Sequence, residues 1–135
     1  MGYPIIEIPG LDAEQEDLLH RHGIHTSLQL LEACRLPRGR KNVALQTGIG
    51  DERLLKWTHC ADLLRVKGIA GQYLALLEAS GVSSIKDLRS SKADALSQAM
   101  REANERRKLC KVSPSVAVVR KWMDLARALP AKVTP

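Results

Sequence analysis

Residues 8–31 and 66–89 carry the same pattern, 58 positions apart. In each stretch, an apolar–x–Gly–apolar turn at Gly10 or Gly68 leads into about three helical turns and a second glycine. The first glycine permits a tight turn, and the second can end the helix in a left-handed conformation. A chain that repeats short helices around glycine turns is restricted to folds made of packed helices.

The composition favours the same class of fold. The 135 residues include no Phe, two Trp and two Tyr, so Leu, Ile, Val and Ala must fill the core. Such a core suits helices better than a strand-rich sandwich, and no stretch alternates with period two. We therefore predict an all-α fold, a compact bundle of short helices with two longer helices at its C-terminal end.

The predicted helices are separated by Gly, Pro and capping residues. They cover about residues 12–22, 27–34, 41–47, 51–65, 71–79, 85–89, 92–109 and 114–129. Thr26 and Ser84 have the form of N-caps, and Ser113-Pro114 has the N-cap and N1 chemistry that begins a helix. Residues 35–41 are predicted to be a basic loop, because Pro and Gly interrupt them.

The net charge of +6 is distributed unevenly. Residues 1–34 hold one basic and six acidic side chains, a net of −5, which leaves +11 on the other 101 residues. A basic body attracts a polyanion, whereas an acidic head repels phosphate. We therefore expect an acidic N-terminal unit over 1–34 that packs in one domain with residues 42–130, and any nucleic-acid face beyond the first repeat.

Three helix–glycine turn–helix units, at Gly10, Gly48 and Gly68, resemble the helix-hairpin-helix motif, apolar-x-Gly-apolar-Gly before a helix. The resemblance implies a fold of tandem hairpins whose backbone N–H groups hold a nucleic-acid phosphate without reading bases. Helix physics agrees, since the unpaired N–H groups at a helix N-terminus attract anions. Only the middle unit has both glycines. Asp12 takes the second position in the first unit, which we expect to be structural, and Ala70 takes it in the third, which stays open.

A longer set of residues resembles a bacterial family, frequent in cyanobacteria, of helix-hairpin-helix-type domains of unknown function. The matching segments are Leu54-Leu55-Lys56-Trp57, Ala61-Asp62-Leu63, Val66-Lys67-Gly68-Ile69, Leu76-Leu77-Glu78-Ala79, Gly81-Val82, and Leu109-Cys110 through Pro114-Ser115 with Val119 and Trp122. Gly23-Ile24-x-Thr26 and Gly81-Val82-x-Ser84 also resemble the C-terminal domain of the bacterial RNA polymerase α subunit, which contacts DNA and proteins alike. These resemblances imply a fold and leave the function open.

The favoured function is non-enzymatic, non-sequence-specific binding of nucleic acid, most readily DNA, through its phosphates. The residues expected to contact phosphate belong to the glycine turns or carry positive charge: Gly48, Ile49, Gly50, Arg53, Lys56, Arg38, Arg40, Lys41, Lys67 and Gly68. The basic run 101–111 is interpreted as a solvated helix face, because Glu102 and Glu105 interrupt it. The alternative is a protein-interaction module whose acidic head docks on a basic body, its own or a partner's.

Other classes of function lack support in the sequence. There is no P-loop, GxSxG or HExxH motif, so we predict neither an enzyme nor a cofactor. His20 and His22 diverge on a helix, and the three cysteines (Cys34, Cys60 and Cys110) include no CxxC, so no metal site is predicted. Reduced thiols, no signal peptide and no apolar run of about 18 residues predict a cytoplasmic protein without a membrane span.

Overall fold

The computed structural model describes residues 2–135, and in this range the prediction of an all-helical protein is confirmed. A 3₁₀ turn at Ile5–Glu7 precedes eight α-helices. They are α1 (Ala13–Arg21), α2 (Ser27–Cys34), α3 (Pro37–Thr47), α4 (Asp51–Leu63), α5 (Gly71–Ala79), α6 (Ile85–Ser90), α7 (Ala93–Arg107) and α8 (Val116–Ala128). Within the described range, the only β-type pairing is an isolated bridge between Pro4 and Thr26.

The sequence repeat corresponds to a structural repeat. Helix α5 begins and ends 58 residues after α1, and α6 begins 58 residues after α2. The residue behind the terminating glycine bonds back into its helix in both copies: Ile24 N–H to the Leu19 carbonyl at 3.0 Å, and Val82 N–H to the Leu77 carbonyl at 2.9 Å. The backbone thus closes the two helices with the same Schellman-type pattern.

The repeat extends to the last helix of each half, where the sequence offset has changed. Helices α4 and α8 both have 13 residues, and both carry a buried tryptophan, Trp57 or Trp122, at their seventh position. Each indole Nε1 lies under the first glycine turn of its own half, Trp57 beneath Gly10 and Trp122 beneath Gly68. The chain is therefore a duplicated four-helix unit, α1–α4 followed by α5–α8.

One continuous apolar core unites the two units. Within each unit the second helix packs against the fourth, α2 on α4 and α6 on α8, and further packing of α4 against α6 connects the halves. The core extends from Ile5 to Ala126. The C-terminal tail returns to the first unit, where the buried Asp62 carboxylate accepts the Lys132 N–H at 3.2 Å and the Thr134 N–H donates to the Arg35 carbonyl at 2.8 Å.

The predicted caps are confirmed except at one helix. Thr26 forms a capping box with Gln29, and the Ser84 hydroxyl accepts the Asp87 N–H at 3.1 Å. The prediction for the last helix was wrong by two residues, because Ser115 rather than Ser113 caps α8 by accepting the Val118 N–H at 3.3 Å. Pro114 therefore precedes the cap instead of following it.

The predicted basic loop over 35–41 was also wrong. Pro37 occupies the first turn of α3, where its missing N–H costs nothing, and the helix runs from there to Thr47. Gly39 lies inside this helix because α2 approaches closely, so that a Cβ at Gly39 would clash with the Ala33 carbonyl oxygen.

Candidate nucleic-acid interface

The Gly48–Gly50 turn joins α3 to α4. Gly48 ends α3 in a left-handed conformation, with φ of 78°, and donates its N–H to the Ala44 carbonyl at 2.9 Å. Ile49 is only 6% exposed and belongs to the core. Gly50 is exposed, has extended backbone and precedes the first turn of α4. The turn therefore anchors itself through Ile49 and presents Gly50 to solvent.

The amides of this turn differ in availability. Gly48 N–H is used within α3, and Ile49 N–H donates to Thr47 Oγ1 at 3.2 Å. The N–H groups of Gly50 and of the next three residues, 51–53, have no hydrogen-bond partner in residues 2–135, and no side chain caps α4. Four consecutive backbone donors at a helix N-terminus form an anion site in the physical sense.

The charges around these donors cancel. Gly50, Glu52, Arg53 and Lys56 line an open hollow at the start of α4. Arg53 is exposed and makes no ion pair within residues 2–135, whereas Lys56 Nζ lies 2.7 Å from Glu78 Oε1. This hydrogen bond and the charge of Glu78 raise the pKa of Lys56. Asp51 and Glu52 favour the helix dipole at the first turn but oppose the approach of a phosphate.

The predicted cations on α3 separate into two environments. Arg40 is only 2% exposed, and its Nη1 donates to the Cys34 carbonyl at 3.0 Å and to the Arg35 carbonyl at 3.3 Å. It therefore satisfies the C-terminal carbonyls of α2 and contributes nothing to an exposed patch. Arg38 and Lys41 are exposed. At about 1.5 Å per residue, they lie roughly 15 Å and 10 Å along α3 from Gly48.

The turn at Gly68 has a structural function. Its φ of 100° and the nearby Trp122 indole, with Nε1 2.9 Å from where a Cβ would lie, both require glycine. The following helix begins at Gly71, whose open side is filled by Glu7, with Glu7 Oε1 3.3 Å and the Glu7 carbonyl oxygen 2.7 Å from an ideal Cβ. The N-terminus of α5 is thus covered from within the chain. Lys67 remains exposed beside it.

The turn at Gly10 is occupied by its own side chains. The Asp12 carboxylate accepts the Gln15 N–H at 2.8 Å, and Gln15 Oε1 accepts the Asp12 N–H at 3.0 Å. This capping box gives Asp12 the structural role that we expected for the first unit.

The histidines and cysteines do not form a reactive site. Within residues 2–135, no group of three or more His, Cys, Asp or Glu side chains is arranged to hold a metal ion. Burial raises the pKa of Cys34 to about 11 and that of Cys60 to about 12, so both are neutral thiols near pH 7.

A basic groove that the sequence did not reveal lies between α7 and α8. Its walls include Arg101, Lys108 and Lys111, which the sequence suggested were a solvated helix face. A left-handed Lys108, with φ of 49°, begins the linker that forms the groove. The sequence gives no warning of this conformation, which non-glycine residues rarely adopt.

These features define a class, the all-α proteins built from a duplicated four-helix unit on one core. A family model described as a domain of unknown function, DUF4332, matches residues 9–129, and the chain belongs to that family. No curated protein and no solved structure gives a significant match. None of the helices in residues 2–135 is both long and apolar enough to cross a membrane.

Proposed function

We propose that this protein binds nucleic acid, most readily duplex DNA, through the phosphate backbone and without catalysis. The observation that carries the proposal is the run of four unpartnered backbone N–H groups at Gly50 and residues 51–53, next to the unpaired Arg53. A phosphate oxygen placed there accepts hydrogen bonds from the helix N-terminus and meets its positive dipole end.

The exposed cations on α3 extend this site along the protein. Arg38 and Lys41 lie about 10–15 Å from the turn, which is too far to share one phosphate and suits successive phosphates of a backbone. Asp51 and Glu52 reduce the attraction, so binding through this face is weak and non-specific, with a Kd of roughly 10⁻⁴–10⁻⁶ M at physiological salt.

Gly50 offers a test in which stability and binding change in opposite directions. No heavy atom lies within 4 Å of an ideal Cβ at Gly50, and its φ of −63° suits any residue. Gly50→Asp supplies an N-cap whose carboxylate takes the free amides, so stability should stay level or rise slightly while DNA binding falls. Gly50→Ala is the matched control, because it adds a Cβ without occupying the amides.

The measurement is fluorescence anisotropy of a labelled 20-base-pair duplex at 50 and 200 mM salt, with single-stranded RNA as a second probe. We expect wild type and Gly50→Ala to bind DNA with an affinity that falls steeply with salt, and Gly50→Asp to bind more weakly. The absence of duplex binding at 50 mM salt would overturn the proposal. Equal affinities for all three proteins would remove the Gly50 site from it.

A protein-interaction module is the second candidate, favoured by exposed apolar side chains. Leu45 on α3 is 81% exposed, and Leu36 at the start of that helix is 42% exposed. With an acidic segment at 1–34 and a basic remainder, self-association or docking on a charged partner is electrostatically complementary. Light scattering at low and high salt tests self-association. A stoichiometric protein partner recovered without nucleic acid would favour this function over DNA binding.

A further inference from the structure

The two halves differ most in the linker between their third and fourth helices. The first half uses three residues, 48–50, between α3 and α4, whereas the second half uses eight, 108–115, between α7 and α8. Both linkers begin with a left-handed residue whose N–H donates four positions back: Gly48 to the Ala44 carbonyl and Lys108 to the Asn104 carbonyl. The longer linker therefore begins at the structurally equivalent position.

Lys108 is the only non-glycine residue with positive φ in residues 2–135. A left-handed lysine costs roughly 1–2 kcal/mol that a glycine at the same position would avoid, and such strain tends to occur at functional sites. What the lysine adds over the glycine of the first half is a cation at the edge of an open groove of about 1040 Å³.

Other polar side chains surround that cation. The groove is lined by Arg101, Lys108 and Lys111, with Gln72 and Asn104 as neutral polar groups and Glu105 as the one acid among its lining residues. None of the three cations makes an ion pair within the described chain. Burial raises the pKa of the Cys110 thiol, so this lining residue adds no negative charge near neutral pH.

The linker is held in place at both ends. The Asn104 side chain accepts the Cys110 N–H at 3.0 Å, in addition to the bond between its carbonyl and Lys108. At the other end, the buried Ser97 hydroxyl donates to the Pro114 carbonyl at 3.3 Å. The cations are therefore presented by an ordered linker rather than by a free loop, which lowers the entropy lost on binding.

Charge is concentrated in the same half of the molecule. Residues 66–135 carry thirteen basic and six acidic side chains, whereas residues 1–65 carry eight basic and nine acidic ones. A polyanion is thus attracted to the second half more strongly than to the hollow at Gly50.

We propose that the groove between α7 and α8, with Arg101, Lys108 and Lys111, is the principal contact of this protein with the phosphate backbone of duplex DNA. The inference rests on the proposed function and deepens it, because the Gly50 turn becomes a second, weaker contact. Each cation that contacts a phosphate adds about 0.9 to the slope of log K against log salt, so three such contacts add roughly 2.7.

The test compares two triple variants that remove the same charge. Arg101→Gln/Lys108→Gly/Lys111→Gln neutralises the groove, and Lys86→Gln/Lys121→Gln/Lys132→Gln neutralises exposed lysines that do not line it. With the labelled 20-base-pair duplex, the groove variant should lose at least about tenfold in affinity, and its salt slope should fall by roughly two to three. The control should retain a slope and an affinity close to those of wild type.

Lys108→Gly alone separates binding from folding. Glycine adopts the left-handed conformation without strain, so the Tm of this variant should rise by roughly 3–6 °C while its affinity for DNA falls. A variant that is more stable and binds more weakly cannot owe its weaker binding to unfolding.

The outcomes distinguish the two proposals. If wild type binds the duplex and the groove variant loses no more affinity than the control, the groove is overturned while DNA binding stands. Loss in the groove variant with little loss in Gly50→Asp supports the groove as the principal contact. A wild-type protein that does not bind duplex DNA at 50 mM salt overturns both.

Discussion

In the first half of the molecule Trp57 lies beneath the Gly10 turn, and in the second half Trp122 lies beneath the Gly68 turn. The surfaces above these matching frames differ. The first half has almost balanced charge and a three-residue linker, and the second has an excess of seven positive charges and an eight-residue basic linker. Because the buried positions match and the exposed ones do not, the duplication explains the stability of the fold, and the differences between the copies show where to look for function.

The cysteines provide the largest expected contrast between the halves. Cys34 and Cys60 in the first half are buried, with pKa values of about 11 and 12, while Cys110 in the second half is partly exposed. At pH 8, an aromatic disulfide reagent should label Cys110 quickly and the other two about a thousandfold more slowly, because they require opening of the core. Absorbance at the released thiolate's band measures both phases.

Cys110→Ser is the control for that labelling, and it should abolish the fast phase without affecting the slow one. Rapid labelling of two or three thiols would show that the core of the first half opens independently of the second half.

The two tryptophans test whether the halves fold together. Trp57→Ala and Trp122→Ala each remove a fully buried side chain, so each should lower the free energy of unfolding by about 3–5 kcal/mol. Since one core connects the halves, urea denaturation followed by circular dichroism should show a single transition that moves to lower urea in both variants. Two separate transitions, of which each variant shifts only one, would mean that the duplicated units are independent domains.

The glycine turns above these tryptophans should differ in their tolerance of a methyl group. Gly10→Ala should cost about 1–2 kcal/mol from its φ of 86° alone, since its nearest neighbour, Trp57 Nε1, is 3.9 Å from the Cβ position. Gly68→Ala adds a contact of 2.9 Å to Trp122 Nε1 and should cost about 1–3 kcal/mol more. Thermal denaturation of both variants measures the difference, and equal losses would contradict the closer packing in the second half.

Local chemistry accounts for the parts of the fold that the sequence predicted correctly. The caps at Thr26 and Ser84 depend on side chains within three residues of the bonds they form, so the sequence contains the necessary information. The bounds of α5 were predicted for the same reason, because glycines delimit it. The match between α4 and α8 was missed, since longer elements before α8 change the offset from 58 to 65 and few residue identities remain besides the tryptophans.

The candidate site was less predictable because it depends on tertiary structure. Arg40 was expected on the surface, and it is buried because the end of α2 needs a donor that only the packing of α3 can bring there. The groove was missed because the charges of 101–111 look like an ordinary exposed helix until the left-handed Lys108 ends α7 and the linker folds back. No pattern within one helix contains that information.

The smallest expected effect is a pH dependence that belongs to the first half, which contains all four histidines. Partial burial of His59 on α4 lowers its pKa below the ordinary value of 6.5, with Arg40 acting in the same direction and Asp62 and Asp87 opposing. The unfolded chain therefore binds a proton at a higher pH than the folded chain does, so this contribution to stability is complete above about pH 6.5 and is lost as the pH falls towards the lowered value. His59→Gln should reduce the difference in unfolding free energy between pH 7.5 and pH 5.5, as measured by urea denaturation, whereas His22→Gln at an exposed position should not. If the two variants responded alike, the exposed histidines and not the buried environment of α4 would be the source of the pH dependence.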